Sequence, residues 1–131
     1  MTTPITSRTL EALHHEVASL VRRVGDFSPQ RWASTAGEVT GDDVDRAGSK
    51  SDAVYRLVIE LARLSREAGS GAPAGAVPAR ATDLALADQL ATLAQELLDA
   101  REVGLVATSA LEAVQATRAA VEDLPRQVRL P

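Results

Sequence analysis

The sequence predicts an all-α fold, a four-helix bundle with a long first crossover loop, and three observations predict it. Apolar residues recur at spacings of three and four in four segments, approximately 6–25, 50–67, 82–99 and 102–124. The segments are similar in length, each spanning roughly 27–31 Å at 1.5 Å per residue, which suits antiparallel packing. Aromatic residues are confined to Phe27, Trp32 and Tyr55, so the core must be filled by Leu, Val and Ala, a composition suited to closely packed helices. The 131 residues fit one domain, 1–131, and a chain of this size buries roughly two thirds of its unfolded surface without a covalent staple.

In the first helix Leu10, Leu13, Val17, Leu20, Val24 and Phe27 form the stripe, widened by Val21. Thr6 or Ser7 is placed to cap its start and Gly25 to end it. The connection from Asp26 to Gly48 opens with Ser28-Pro29, a cap and first position for a short helix carrying Trp32. An acidic patch follows: Glu38, Asp42, Asp43 and Asp45. Loops this long within a compact domain are uncommon and are often functional.

Ser49 reads as the N-cap of the second helix, with Asp52 at the third helical position, where a carboxylate favours the positive helix end. Val54, Leu57, Leu61, Leu64 and Ala68 make its stripe, and Tyr55, Val58, Ile59 and Ala62 add a second apolar flank. The polar ridge is only Arg56, Glu60, Arg63 and Glu67, so this helix needs cover on most sides. Gly69 to Pro78 is small and Gly/Pro-rich, a linker between helices.

The third helix, from about Thr82, carries a heptad-like seam of Leu86, Leu90, Leu93 and Leu97 flanked by Ala87, Ala91, Ala94 and Leu98. The fourth holds Val103, Val106, Ala107, Ala110, Leu111, Val114, Val121 and Leu124, and Pro125 stops it. Asp99-Ala-Arg-Glu102 reads as a capping box between the two, with Gly104 easing a turn. The alternative is one unbroken helix from Thr82 to Leu124, which would expose its seam and require a dimer.

Several function classes are disfavoured by composition. The chain has no cysteine, which excludes a disulfide scaffold, a thiolate metal site and a cysteine nucleophile, and suits a reducing, cytoplasmic setting. Its formal charge of −4 argues against nucleic acid as the main partner. Charges such as Glu60, Asp88 and Glu96 break every apolar stretch, so neither export nor a membrane span is expected. Arginine and alanine richness against a single lysine, Lys50, points to a GC-rich bacterial source. No serine lies in a Gly-x-Ser-x-Gly elbow, and phosphate-loop and dinucleotide signatures are absent.

Candidate metal ligands are weak. His14 and His15 are neighbours on a helix and point about 100° apart, so they do not chelate one ion from one face. Gly41-Asp42-Asp43-Val44-Asp45 has three carboxylates without the alternating oxygens and distal Glu of a calcium loop, and reads as a solvated acidic loop. Trp32 is the most informative single residue: beside Phe27 it either plugs an open end of the bundle or, with Phe27 and Tyr55, walls a ligand pocket there.

The order of Phe27, Ser28-Pro-Gln-Arg-Trp32, Thr35 and Ser51-Asp-Ala-Val-Tyr-Arg-Leu57 resembles the DinB-like bundles, in particular the N-terminal domain of mycothiol-dependent maleylpyruvate isomerase proteins. The resemblance implies an up-down-down-up bundle with a long first crossover and a three-histidine metal site, one ligand early in helix two and two near helix three. Here the corresponding stretch reads Val54-Tyr55-Arg56-Leu57, and Leu84 to Ala100 has no histidine. A carboxylate such as Asp52 or Asp88 does not replace three imidazoles, so no metal or other cofactor is expected and the family's metal-assisted thiol chemistry is not carried over. Small helical secretion substrates with Trp-x-Gly between two helices are a poorer comparison, since Ala33 and Ser34 follow Trp32 and Ile59 stands where an acid is needed.

The expectation is a non-catalytic bundle that binds a protein partner or forms a homodimer, with Tyr55, Val58, Ile59, Leu86 and Leu93 as the interface. The alternative is a small-molecule-binding or thiol-dependent transferase or isomerase with a pocket near Trp32.

Overall fold

The computed structural model describes residues 4–37, 48–69 and 78–122. The described residues form five helices and no strand, so the fold is all-α: α1 (Pro4–Gly25), α2 (Pro29–Ala33), α3 (Lys50–Glu67), α4 (Asp83–Leu98) and α5 (Val103–Val121). None of these helices is long and apolar enough to cross a membrane.

Local chemistry explains most boundaries. α1 ends at Gly25 as expected but begins at Pro4, so Thr6 and Ser7 lie inside it rather than capping it. The Ser28 hydroxyl accepts the Arg31 N–H at 3.1 Å and Pro29 takes the first position of α2. At α3 the Asp52 N–H donates to the Ser49 hydroxyl at 3.0 Å, and the Ser49 N–H donates to the Asp52 carboxylate at 3.1 Å, a complete capping box. Gly48 precedes it at φ +64°, and a Cβ there would lie 2.5 Å from that carboxylate. Only glycine lets the backbone pass so close.

α4 and α5 are separate helices, which removes the unbroken 82–124 alternative. The expected Asp99–Glu102 box is not what divides them: Asp99 accepts the Gln95 side-chain amide at 3.0 Å, and Glu102 makes no side-chain cap. Instead Ala100 is buried and the Glu102 N–H donates to the Ala68 carbonyl at the end of α3, at 2.8 Å. α5 stops at Val121, short of Leu124 and Pro125, which lie outside the described residues.

The long helices pack as α1 against α4 and α5, and α3 against α4 and α5. Glu16 pairs with Arg118 at 2.8 Å and Arg23 with Glu122 at 3.5 Å, so α1 and α5 run parallel. Ser51 meets Asp83 at 2.7 Å and Ser65 meets Glu96 at 3.5 Å, so α3 and α4 are also parallel. α5 begins beside the end of α3 and runs antiparallel to it. Wholly antiparallel neighbours were the simpler expectation, and the structure departs from it. The connection 26–49 joins helix termini at one end of the molecule; the connection 69–82 joins opposite ends. The length-spanning crossover is therefore the second connection rather than the first. Parallel packing requires it, since α3 is about 27 Å long and about nine extended residues are needed to return.

One core unites the four long helices. Leu13, Leu20 and Val24 of α1 meet Val54, Leu57, Val58, Leu61 and Leu64 of α3, with Leu86, Leu90 and Leu97 of α4 and Val106, Val114 and Val121 of α5. Each such side chain contributes about 1.5–3 kcal/mol on burial. Leu93, expected in the α4 seam, is only half-buried at its edge.

Candidate functional site

The end of the molecule at which α1 and α5 finish and α3 and α4 begin gathers most of the residues singled out from sequence. Phe27 and Trp32 touch edge to face, with ring centroids 5.1 Å apart and planes at 70°. Both belong to the core, and Trp32 is 3% exposed. The Arg31 guanidinium lies 4.6 Å above the Phe27 ring. Tyr55 is engaged elsewhere: its hydroxyl donates to the Pro78 carbonyl at 2.5 Å and its ring lies 5.4 Å from the Arg80 guanidinium. Phe27 and Trp32 thus form one feature and Tyr55 another.

A polar network, unread in the sequence, surrounds the start of α3. Lys50, the chain's single lysine, is 1% exposed. Its Nζ donates to the Ser34 hydroxyl at 2.8 Å and to the Thr35 carbonyl at 3.3 Å. The backbone reinforces this, with Lys50 N–H to the Ser34 carbonyl at 2.8 Å and Ala36 N–H to the Gly48 carbonyl at 2.9 Å. A cation at a helix N-terminus opposes the helix dipole, and these acceptors offset part of the cost of burying it. Ser51, also buried, donates to Asp83 at 2.7 Å and accepts from Arg80 at 2.6 Å. Arg80 in turn pairs with Asp52 at 2.8 Å. The Ser49 backbone N–H, and then Arg80, hold the Asp52 carboxyl below its ordinary value.

The Ser34–Lys50 distance is that of a nucleophile and its base, but the chemistry is not. Ser34 directs its own proton to the Arg31 carbonyl at 2.6 Å, and Lys50 spends donors on two oxygens. A general base needs a lone pair turned to the serine proton. The network ties the segment Ser34–Ala36 to the start of α3.

The other predicted site residues are dispersed. His14 and His15 are exposed on α1, and His14 edges a shallow hollow of about 340 Å³ between α1 and α4 with Val17, Val21, Ala94 and Leu98. Among the described residues no group of three or more His, Asp or Glu side chains is arranged to hold a metal ion. Asp88 is exposed on α4. Glu38, Asp42, Asp43 and Asp45 lie outside the described residues. Of the expected interface, Val58 and Leu86 are wholly buried in the core and present no surface. The side-by-side packing of α3 and α4 covers that flank, leaving Tyr55, Ile59 and Leu93 half-buried along it.

Two further surfaces were not foreseen. A hollow of about 440 Å³ beside the Phe27 ring is bordered by Ser19, Arg22, Arg23, Asp26 and Arg31. The outer face of α5 shows Leu105, Thr108, Ser109, Glu112, Gln115, Ala116 and Ala119, and Leu105 is 78% exposed. Helical spacing alone could have marked that face, since Val103–Val121 contains only two charged residues, Glu112 and Arg118. Comparison with protein-family models, curated proteins and solved structures gave no significant match.

Proposed function

We propose that the protein is a non-catalytic four-helix bundle, a metal-free relative of the DinB-like fold, that works by self-association through the outer face of α5. The order of helix directions, α1 one way, α3 and α4 the other, α5 back again, supports the DinB-like reading. The observation that carries the association is the outer face of α5. Arg118 turns into the α1 seam to pair with Glu16, so Glu112 is the one charge left on the exposed face. Interface cores are depleted of charge in this way, whereas an ordinary solvated helix face is not. Beside it, Ala113, Ala116 and Ala120 line a shallow groove with Ala53, Arg56, Leu57 and Glu60 of α3, where the alanines leave room for a second helix and Arg56 and Glu60 offer it a charged edge.

The alternative, a thiol-transfer or ligand-binding enzyme walled by Trp32, has less behind it, because Trp32 is packed into the core. Sedimentation velocity over a wide concentration range tests the association. A dimer is expected, and Leu105→Glu with Ala116→Arg is expected to give a folded monomer, because both side chains are exposed and carry little of the core. A wild-type monomer at the highest concentration would overturn the proposal.

A further inference from the structure

A helix leaves its last carbonyls without intrahelical donors, and many chains supply them from the residues that follow, commonly through a glycine. α5 does not end that way. Glu122, which follows it, is extended at φ −91° and ψ 141°, and its N–H reaches the Ala119 carbonyl at 3.4 Å. The next carbonyl, that of Ala120, accepts the N–H of Gly37 at 2.5 Å, from the segment that leaves α2. A Cβ on Gly37 would lie 3.2 Å from that carbonyl oxygen, so glycine is what lets the two backbones come this close. Its neighbour Ala36 is buried, and with Ala53 of α3 and Ala120 it forms an apolar cluster apart from the main core. The other end of this short strap belongs to the polar network, with Lys50 on Ser34 and Thr35 and the Ala36 N–H on the Gly48 carbonyl. Ser34–Gly37 thus joins the buried cation at the start of α3 to the carbonyl end of α5.

From this arrangement we infer that the strap Ser34–Gly37 is a conformational coupling device, through which the polar junction at Lys50 sets the order of the last turn of α5 and so of the association face. Ala36 is the one buried residue of the strap. With a single small side chain to anchor it, the strap keeps its place through the hydrogen bonds at its two ends, and release at one end reaches the other. The last turn of α5 matters because Ala119 stands on the outer face and Ala120 lines the groove beside it. Fraying there removes part of the surface that a second copy would meet. The effect on association rests on the self-association reading, whereas the effect on the order of α5 stands without it.

Hydrogen exchange of the full chain in dilute solution tests the coupling. Lys50→Ala is expected to speed exchange about tenfold at Ala119–Glu122 as well as at Ser34–Gly37, with Leu105–Ala107 at the start of α5 unchanged. Gly37→Pro removes the N–H donated to Ala120 and leaves Lys50 in place, and a similar acceleration at Ala119–Glu122 is expected. The two substitutions together are expected to give no more there than the larger alone, because they cut one path. Faster exchange at Ser34–Gly37 without change at Ala119–Glu122, or effects that multiply in the double variant, would overturn the inference. Gly37→Pro removes no core side chain, so its result decides even where Lys50→Ala loosens the whole fold; unchanged exchange at Ala119–Glu122 would overturn the coupling. Sedimentation velocity then tests the regulatory effect. A dimer weakened about threefold to tenfold by Gly37→Pro is expected, and a dimer of unchanged affinity would overturn that effect. A wild-type monomer would overturn the self-association reading and the effect on association with it, and exchange at Ala119–Glu122 would still decide the coupling.

Discussion

Where α3 and α4 begin, a buried lysine, a buried serine and an arginine–aspartate pair join segments 15 to 32 residues apart. At the opposite end, where α3 and α4 finish, α5 starts against buried Ala68, Leu97 and Ala100, with the Glu102 N–H on the Ala68 carbonyl. The first end is specified by polar partners that must all be present. The second is specified by small apolar residues that allow close approach. Polar satisfaction makes a junction unique at the cost of making it fragile, because one missing partner leaves others buried and unpaired.

The largest effects should separate these two modes. Leu97→Ala is expected to cost about 2–5 kcal/mol, as a cavity in an apolar core. Lys50→Ala is expected to cost about 2–4 kcal/mol, from lost packing and from the acceptors of Ser34 and Thr35 left without their donor. Urea unfolding measures both. The modes differ in reach: hydrogen exchange in Lys50→Ala should rise first at Ser34–Gly37, whereas Leu97→Ala should loosen α4 and the start of α5. Uniform acceleration in both variants would erase the distinction.

A smaller effect tests the second strut of the polar end. Tyr55→Phe removes the hydroxyl that holds the Pro78 carbonyl while keeping the ring under Arg80. A loss of about 0.5–1.5 kcal/mol is expected, with earlier proteolytic cleavage near Pro78 but no change in Trp32 emission. A shift in that emission would mean that Tyr55 and the Phe27–Trp32 pair form one unit after all.

The two ends also differ in how far the sequence discloses them. Two caps made by near neighbours were legible, Ser28 with Pro29 and Ser49 with Asp52, and α1 ends at Gly25 as its position implies, whereas Thr6, Ser7 and the Asp99–Glu102 box do not cap. The helical stripes were legible too, because three-and-four spacing reports burial directly. Helix direction was not, since parallel and antiparallel neighbours ask for the same stripe. Lys50 reads as an ordinary polar first-turn residue, and only its remote acceptors show that it is buried. Val58 and Leu86 looked available for a partner because nothing local reveals that α4 lies alongside α3.

The smallest effect concerns acid. Asp52 is partly exposed and its pair with Arg80 is screened, so its contribution is about 1 kcal/mol or less. Its carboxyl titrates lower in the folded chain than the ordinary 3.8, because the charged form accepts the Ser49 N–H and faces Arg80. The unfolded chain therefore takes up the proton first as pH falls. The stabilisation is fully present above about pH 4, near the unfolded value, and is lost as pH drops through the folded one. Asp52→Asn lacks this titration. The gap in urea midpoint between wild type and Asp52→Asn should thus be widest near neutral pH and narrow toward about pH 2.5. An equal gap at both pH values would mean that the capping geometry at Ser49, rather than the charge, holds the polar end, and that Arg80 is attached to the network without stabilising it.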